Sequence, residues 1–473
     1  MKTPTLETLS TIQTDGSRKF VHPADVRGRF TRLKKAVAML LLLIYVGLPW
    51  IPVNGYPAVF LDVQERRFHF MGLTLAMQDL WVGFFLITGL AFSLFYVTAL
   101  FGRLWCGWTC PYTVFLEHVY RAIERLIDGD ATARRRLEDA PWTGAKITRR
   151  VLKHGIFLLV SALIAHIFLS YFVSLKKLYE MMKGPPSEHL LAFGVMIFMT
   201  GSLYFAFSWF REQFCIILCP YGRLQSALTD DHSVVIGYDK ARGEPRGKVG
   251  STTGSCIDCR RCVQVCPTGI DIRNGMQLEC IGCAACVDAC DDIMTKLKRP
   301  TGLVRYDSHV GLHGGKTKFI RPRIIFYTFL LLLGMGAFLF SATRISPLNA
   351  SAVRMIGAPF YVADGVLRNQ FLVRVINKYN SPSTYKLEMV GELPPQLSVA
   401  GFVETLELPP LGEEQKTLVL SLPEAAFTAP FKLQVKVTDV IHGHSVTTRM
   451  MEFLGPDPRL KSNAPLNAKD FIQ

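Results

Sequence analysis

Two stretches decide how this chain is read: CIDCRRCVQVCP at 256–267 and CIGCAACVDACD at 280–291. In both, the cysteines follow C-x2-C-x2-C-x3-C, and the first run ends in proline where the second has Asp291. This is the bacterial ferredoxin run. Three thiolates on one curving loop reach three irons of a cube. The fourth lies on the following turn, points away and closes the other cube. The spacing therefore predicts two 4Fe-4S clusters, one on Cys256, Cys259, Cys262 and Cys290, the other on Cys280, Cys283, Cys286 and Cys266. Two zinc sites would need only four ligands each and no doubled pattern. The missing proline is expected to alter a turn and not a ligand. Gly282, Ala284 and Ala285 are small enough for backbone N–H groups to approach cluster sulfurs. Such a module is a wire or a small electron store.

The other four of the 12 cysteines lie upstream, in RLWCGWTCPY (103–112) and EQFCIILCPY (212–221). Both read aromatic-Cys-x3-Cys-Pro-Tyr, a weak internal repeat. Proline keeps the cysteine before it out of helical geometry and suits the first turn of a new helix. An amphipathic pattern follows Pro111 on Leu116, Tyr120, Ile123 and Ile127. A place at a helix N-terminus lowers a thiol pKa, and Arg103 and Arg211 stand close enough in sequence to add to that. Three readings of Cys106, Cys110, Cys215 and Cys219 stay open: packed structural thiols, a redox-active dithiol relay, or a soft-metal site for Cu(I) with all four converging.

Apolar runs surround these motifs. Five segments meet or approach the roughly 20 residues that cross a bilayer: 36–53, 80–100, 155–175, 190–210 and 324–342. With 49% hydrophobic residues and a mean hydropathy of +0.24, the chain reads as a polytopic membrane protein. About 35 mostly polar residues precede the first run, which is therefore expected to stay as an anchor. The net charge of +15 is no sign of nucleic acid, because no recognisable module interleaves basic clusters with exposed aromatics. The cations gather instead in alternate loops: eight Lys or Arg in 1–35 and ten in 103–153, but only Arg66 and Arg67 in 54–78 and Lys176, Lys177 and Lys183 in 176–189. The positive-inside rule puts the N-terminus, 103–153 and 211–322 in the cytoplasm and 344–473 outside, in the periplasm of a Gram-negative cell. Cysteine usage agrees, since cluster thiols fall on the reducing side and none occurs after residue 290.

Past the fifth span, 344–365 reads as a connector. From 368 the pattern has period two: Phe371, Val373 and Val375, then runs near 384–390, 416–422, 431–437 and 445–453, broken by turns such as PPLGEEQ at 409–415. This predicts an immunoglobulin-like β-sandwich. The organisation expected is an N-terminal tail (1–35), a four-span membrane domain with both CxxxCP motifs (36–230), a ferredoxin-like domain (231–322), a fifth span (323–343) and the sandwich (344–473). His442 and His444, a His-x-His pair, and Met181 with Met182 invite copper, but polar turn and ordinary loop residues are the simpler account. His166 lies within a span like a haem ligand without a matching second histidine.

The eight-cysteine block, the two CPY motifs, VIGYDKARGEPRG (235–247), the fifth span and the sandwich tail together resemble the CcoG/FixG/RdxA family of cytochrome c oxidase accessory proteins. The resemblance covers most of the chain from about residue 30. It implies an oxidoreductase of the bacterial inner membrane, a cupric reductase supplying Cu(I) to a cbb-type oxidase. Its partners would be a cytoplasmic electron donor, oxidase subunits or copper chaperones and transporters, and membrane lipid. Copper would be reduced near Cys106, Cys110, Cys215 and Cys219. The shorter pattern of spans, CxxxCP pairs and ferredoxin repeat is also similar to NapH and NosR, which serve periplasmic reductases. A quinol-linked conduit and a redox-sensing scaffold are the alternatives.

Overall fold

The computed structural model describes residues 18 and 20–456, apart from 64–66, 77–79, 248–253, 344–345, 380, 392 and 402–403. Most of the N-terminal tail, and Arg66 among the loop cations, lie outside these residues. Two compact units result, Met1–Thr343 and Arg344–Gln473.

Five helices of the first unit are long and apolar enough to cross a membrane: Arg29–Trp50, Trp81–Phe101, Gly144–Leu169, Pro186–Phe210 and Pro322–Thr343. Two begin well before their apolar runs. The first starts at Arg29 because Asp288, from the second cysteine repeat, accepts hydrogen bonds from the amides of Phe30 (3.2 Å) and Thr31 (2.7 Å) and from the Thr31 hydroxyl (2.7 Å). A carboxylate on these orphan donors caps the helix from outside its own sequence. The third starts at Gly144, not near 155, and ends at Leu169. The Thr143 hydroxyl accepts from the Lys146 amide. The Lys146 ammonium donates to the Glu138 carbonyl (2.9 Å), and that of Lys153 to Asp128 (2.6 Å). Lysines so partnered are buried on one side of the helix.

The loop between the first two long helices carries a three-stranded antiparallel sheet, Val59–Asp62, Arg67–Phe70 and Leu73–Ala76. The cysteine-rich segment is framed by a two-stranded sheet, Val235–Tyr238 with Val304–Asp307. Its buried residues, including Cys256, Cys262, Cys283 and Cys286, form one apolar cluster that also takes in Cys106.

The second unit is a sandwich of two antiparallel five-stranded sheets. Val366–Asn377 pairs along its length with Glu413–Pro423 in one, and Ser383–Gly391 with Phe431–Asp439 in the other. Alternate residues, Phe371, Val373, Val375, Leu418, Leu420, Leu433, Val435 and Val437 among them, fill the space between, each contributing roughly 1.5–3 kcal/mol by burial. The expected connector at 344–365 is instead partly strand, with Leu348–Arg354 and Tyr361–Ala363 both pairing with Val366–Asn377. His442 Nδ1 donates to the Asp439 carboxylate (2.9 Å), and the ring stacks on Tyr379, as a turn residue does.

Candidate functional site

The two cysteine loops share a backbone shape. The third and fifth positions of each repeat are left-handed: Asp258 (φ 54°) and Arg260 (54°) in the first, Gly282 (67°) and Ala284 (58°) in the second. Small side chains are therefore not what the two loops have in common. The shared requirement is the left-handed turn, which costs an L-residue about 1–2 kcal/mol. A short helix follows in each case, Arg261–Gln264 and Ala285–Lys296. Pro267 ends the first helical stretch. With Asp291 in that place the second helix runs on through Cys290, and Asp291 accepts from the Gly302 amide (2.8 Å).

Two hollows lie between the loops. Cys256, Cys259, Cys262 and Cys290 line one. Cys266, Cys280, Cys283 and Cys286 line the other, with Cys262 at their boundary. The fourth cysteine of each repeat thus stands with the first three of its counterpart. Burial pushes the thiols of Cys262, Cys280 and Cys290 up to about 12 and that of Cys286 well above the ordinary range. Such thiols give up their protons only against a cation that replaces the lost hydration. Among the described residues no three His, Cys, Asp or Glu side chains gather around a single ion. Sulfurs spread around a hollow suit a polynuclear centre, in which each thiolate meets a different iron. The donor set and the two hollows fit two 4Fe-4S clusters.

The CxxxCP motifs are built as their prolines require. Cys110 (ψ 122°) and Cys219 (ψ 113°) are extended, and helices Pro111–Phe115 and Pro220–Leu228 begin directly after them. The two motifs exchange their tyrosines. The Tyr112 hydroxyl points between the carbonyls of Ala206 (2.9 Å) and Arg211 (2.6 Å), at the end of the other hairpin. The Tyr221 hydroxyl bonds Thr98 of the first. This reciprocity brings the cysteines within electrostatic reach of one another: Cys110 feels Cys106 and Cys219, and Cys215 feels Cys110, Cys106 and Cys219. The expected low thiol pKa is not found. The amides of Thr113 and Tyr112 do favour the Cys110 thiolate, but burial outweighs them and raises its pKa. Burial likewise pushes Cys215 up to about 12. Arg211 is turned away, its guanidinium bonded twice to Glu124 (3.1 Å each).

The first motif is packed into the second cysteine loop. Gly107 leaves no room: a Cβ there would lie 2.6 Å from the Ile281 carbonyl and 2.8 Å from the Cys283 backbone. Trp108 Nε1 donates to the Tyr306 hydroxyl (3.1 Å), which donates to the Gly282 carbonyl (2.6 Å). Gln225, from the second hairpin, donates to Cys106 Sγ (3.5 Å). Buried Arg121 donates to Glu212 (3.0 Å) and to the carbonyl of Pro267 (3.1 Å), the residue after Cys266. Sequence reasoning missed Gly107, Trp108, Tyr306, Gln225 and Arg121. Only the first two carried a signal, a glycine and a tryptophan between the paired cysteines. His166 bonds at Nδ1 to the Ala162 carbonyl one turn back (2.7 Å), as helical histidines do.

Residues 210–309 match the 4Fe-4S dicluster domain, 81–128 a 4Fe-4S binding domain, and 338–456 the IG-like fold at the C-terminal of FixG. The nitrogen fixation protein FixG of Rhizobium meliloti is 34% identical over 81% of this chain and 82% of its own. Proteins RdxA and RdxB of Cereibacter sphaeroides are each 34% identical, over 80% and 84% of this chain and 84% and 87% of theirs.

Proposed function

The chain belongs to the FixG/RdxA family, and from that premise we propose that it reduces Cu(II) to Cu(I) for assembly of a cbb-type cytochrome c oxidase. The 4Fe-4S domain matches support iron–sulfur electron transfer, and the five long apolar helices support a multi-pass place in the membrane. The copper step is supported by the joint between the first CxxxCP motif and the second cysteine loop. There Gly107 touches the backbone of Ile281 and Cys283, and Trp108 reaches Gly282 through Tyr306.

In this reading Cys256, Cys259, Cys262 and Cys290 hold one cluster, and Cys280, Cys283, Cys286 and Cys266 the other. When bound, the clusters supply electrons one at a time, which is what reduction of Cu(II) to Cu(I) takes. Cys106, Cys110, Cys215 and Cys219 bind the copper. Their soft sulfurs prefer Cu(I) over Cu(II), so the donor set favours the reduced ion. The four side chains do not converge on a single ion position, so binding closes them together. Cys110 and Cys215, whose thiol pKa values burial raises, release protons when copper is bound. Gln225 orients Cys106 from the opposite hairpin. The clusters face the cytoplasm and its electron donor, and the sandwich faces the periplasm.

The test is stopped-flow reoxidation of the reduced, purified protein by Cu(II). A variant with Cys106, Cys110, Cys215 and Cys219 all changed to Ser should be reoxidised at least tenfold more slowly, with its cluster absorbance intact. Equal rates would remove the thiols from the reaction. A second reading rests on the match of 81–128 to a 4Fe-4S binding domain: the four thiols hold a further cluster. Iron content decides, since two clusters give about eight irons per chain and a third about twelve.

A further inference from the structure

A cavity of about 320 Å³ opens where the start of the first long helix meets the cysteine-rich loops, with Arg27, Lys34, Lys35, His118, Val265 and Pro267 in its wall. Its charge is unbalanced. Lys34 is only 8% exposed as a residue, and no described residue forms a hydrogen bond or ion pair with its side chain. The carboxylates at hand are engaged. Glu117, which feels the Lys34 charge, is bonded to Arg121, and Asp25 pairs with Arg125 (3.2 Å). Burial and the Lys34 charge press His118 down to about 4, so it is neutral at physiological pH and supplies no negative charge. Arg27 and Lys35 also have no partner among the described residues and are exposed at the rim. A lysine whose side chain is largely buried beside other cations gains from a nearby counter-charge. An anion in the cavity would supply one.

We propose that this cavity binds the phosphate group of an anionic phospholipid. Lys34 lines the cavity, where a small group reaches it and a protein surface does not. Lys34 and Lys35 immediately precede the apolar run that begins at Ala36, so the cavity lies at the depth of lipid headgroups, where basic pockets bind them. The site adjoins Val265 and Pro267, which flank Cys266. Lipid bound there ties the cysteine-rich segment to the membrane surface. A free phosphate has the same binding chemistry, so the experiment separates the two sources.

Purified holoprotein, stripped of lipid in detergent, is titrated with phosphatidylglycerol, with phosphatidylcholine and with inorganic phosphate, and bound ligand is counted by native mass spectrometry. Phosphatidylglycerol should bind tightly at one site, phosphatidylcholine and inorganic phosphate much more weakly. Lys34→Gln and Lys35→Gln should each weaken phosphatidylglycerol about fivefold, following ~1 kcal/mol per cation near an anionic headgroup. Cluster absorbance confirms that each variant is folded. If Lys34→Gln loses its clusters, Arg27→Gln combined with Lys35→Gln, both at exposed positions, decides instead. Unchanged affinity in the folded variants overturns the proposal, and so does inorganic phosphate binding as tightly as the lipid.

Discussion

The two cysteine loops have one backbone and two surroundings. In the first, Cys259 is exposed and the left-handed residues are Asp258 and Arg260, whose polar side chains face water or ion-pair. In the second, Cys283 and Cys286 are buried, the left-handed residues are Gly282 and Ala284, and the loop presses on Gly107. The residue types follow from this. A loop that meets solvent tolerates long side chains at strained positions, whereas a loop that meets another backbone does not. The difference sets the pair apart: one loop is open to solvent, and the other is packed against the first CxxxCP motif.

The largest way to break this contrast is at the joint. Gly107→Val puts a branched side chain where even a Cβ overlaps backbone atoms of Ile281 and Cys283, and neither side is a flexible chain end. Overpacking of this kind costs about 1–3 kcal/mol, and the upper end is expected here. The EPR signal of the cluster on the second loop should be lost or broadened, while that of the first persists. If both signals survive Gly107→Val unchanged, the joint does not exist in solution.

A finer test uses the left-handed positions themselves. Gly282→Ala forces an L-residue to φ 67°, with its Cβ 3.1 Å from the Arg103 carbonyl, and should lower stability by about 1–2 kcal/mol. Arg260→Gly relieves the same kind of turn on the open loop. It should change stability by less than about 1 kcal/mol, toward stabilisation, because the gain in the turn is offset by the added freedom of the unfolded chain. Chemical denaturation of the two variants measures both. Effects of the same sign and size would mean that the loops do not share one shape under strain.

Much of this contrast is legible in the residues alone. Cysteine spacing pairs the two loops, because ligand geometry leaves few alternatives. Apolar runs locate five long helices, and period-two runs locate the sandwich, because burial imposes both patterns. Three things are not legible. Helix starts at Arg29 and Gly144 escape because hydropathy sees charge and not its partner: Asp288 caps the first helix from 257 residues away, and Lys146 and Lys153 bury their charges on local acceptors. The strand Leu348–Arg354, LNASAVR, escapes because half of it is polar or small, and its neighbour Val366–Asn377 supplies the pairing. The thiol pKa values of Cys110 and Cys215 are opposite to expectation because a helix terminus can be read from sequence and the desolvation around it cannot.

The smallest effect expected concerns access, and it depends on the same pair of loops. If the first loop is the open one, oxidants in solution should reach its cluster first. During slow aerobic oxidation of the intact protein, followed by EPR, two separate losses should appear. The first would belong to the cluster bound by exposed Cys259, and the second, several-fold slower, to the cluster bound by buried Cys283 and Cys286, because solvent exposure governs how readily a cluster is attacked. Gly107→Ala, a milder wedge than valine, should narrow that gap by loosening the cover over the second loop while leaving the first rate unchanged. Simultaneous loss in the unmodified protein would mean that the cover seen at Gly107, Trp108 and Tyr306 opens faster than oxidation proceeds. The two loops would then differ in structure but not in what reaches them.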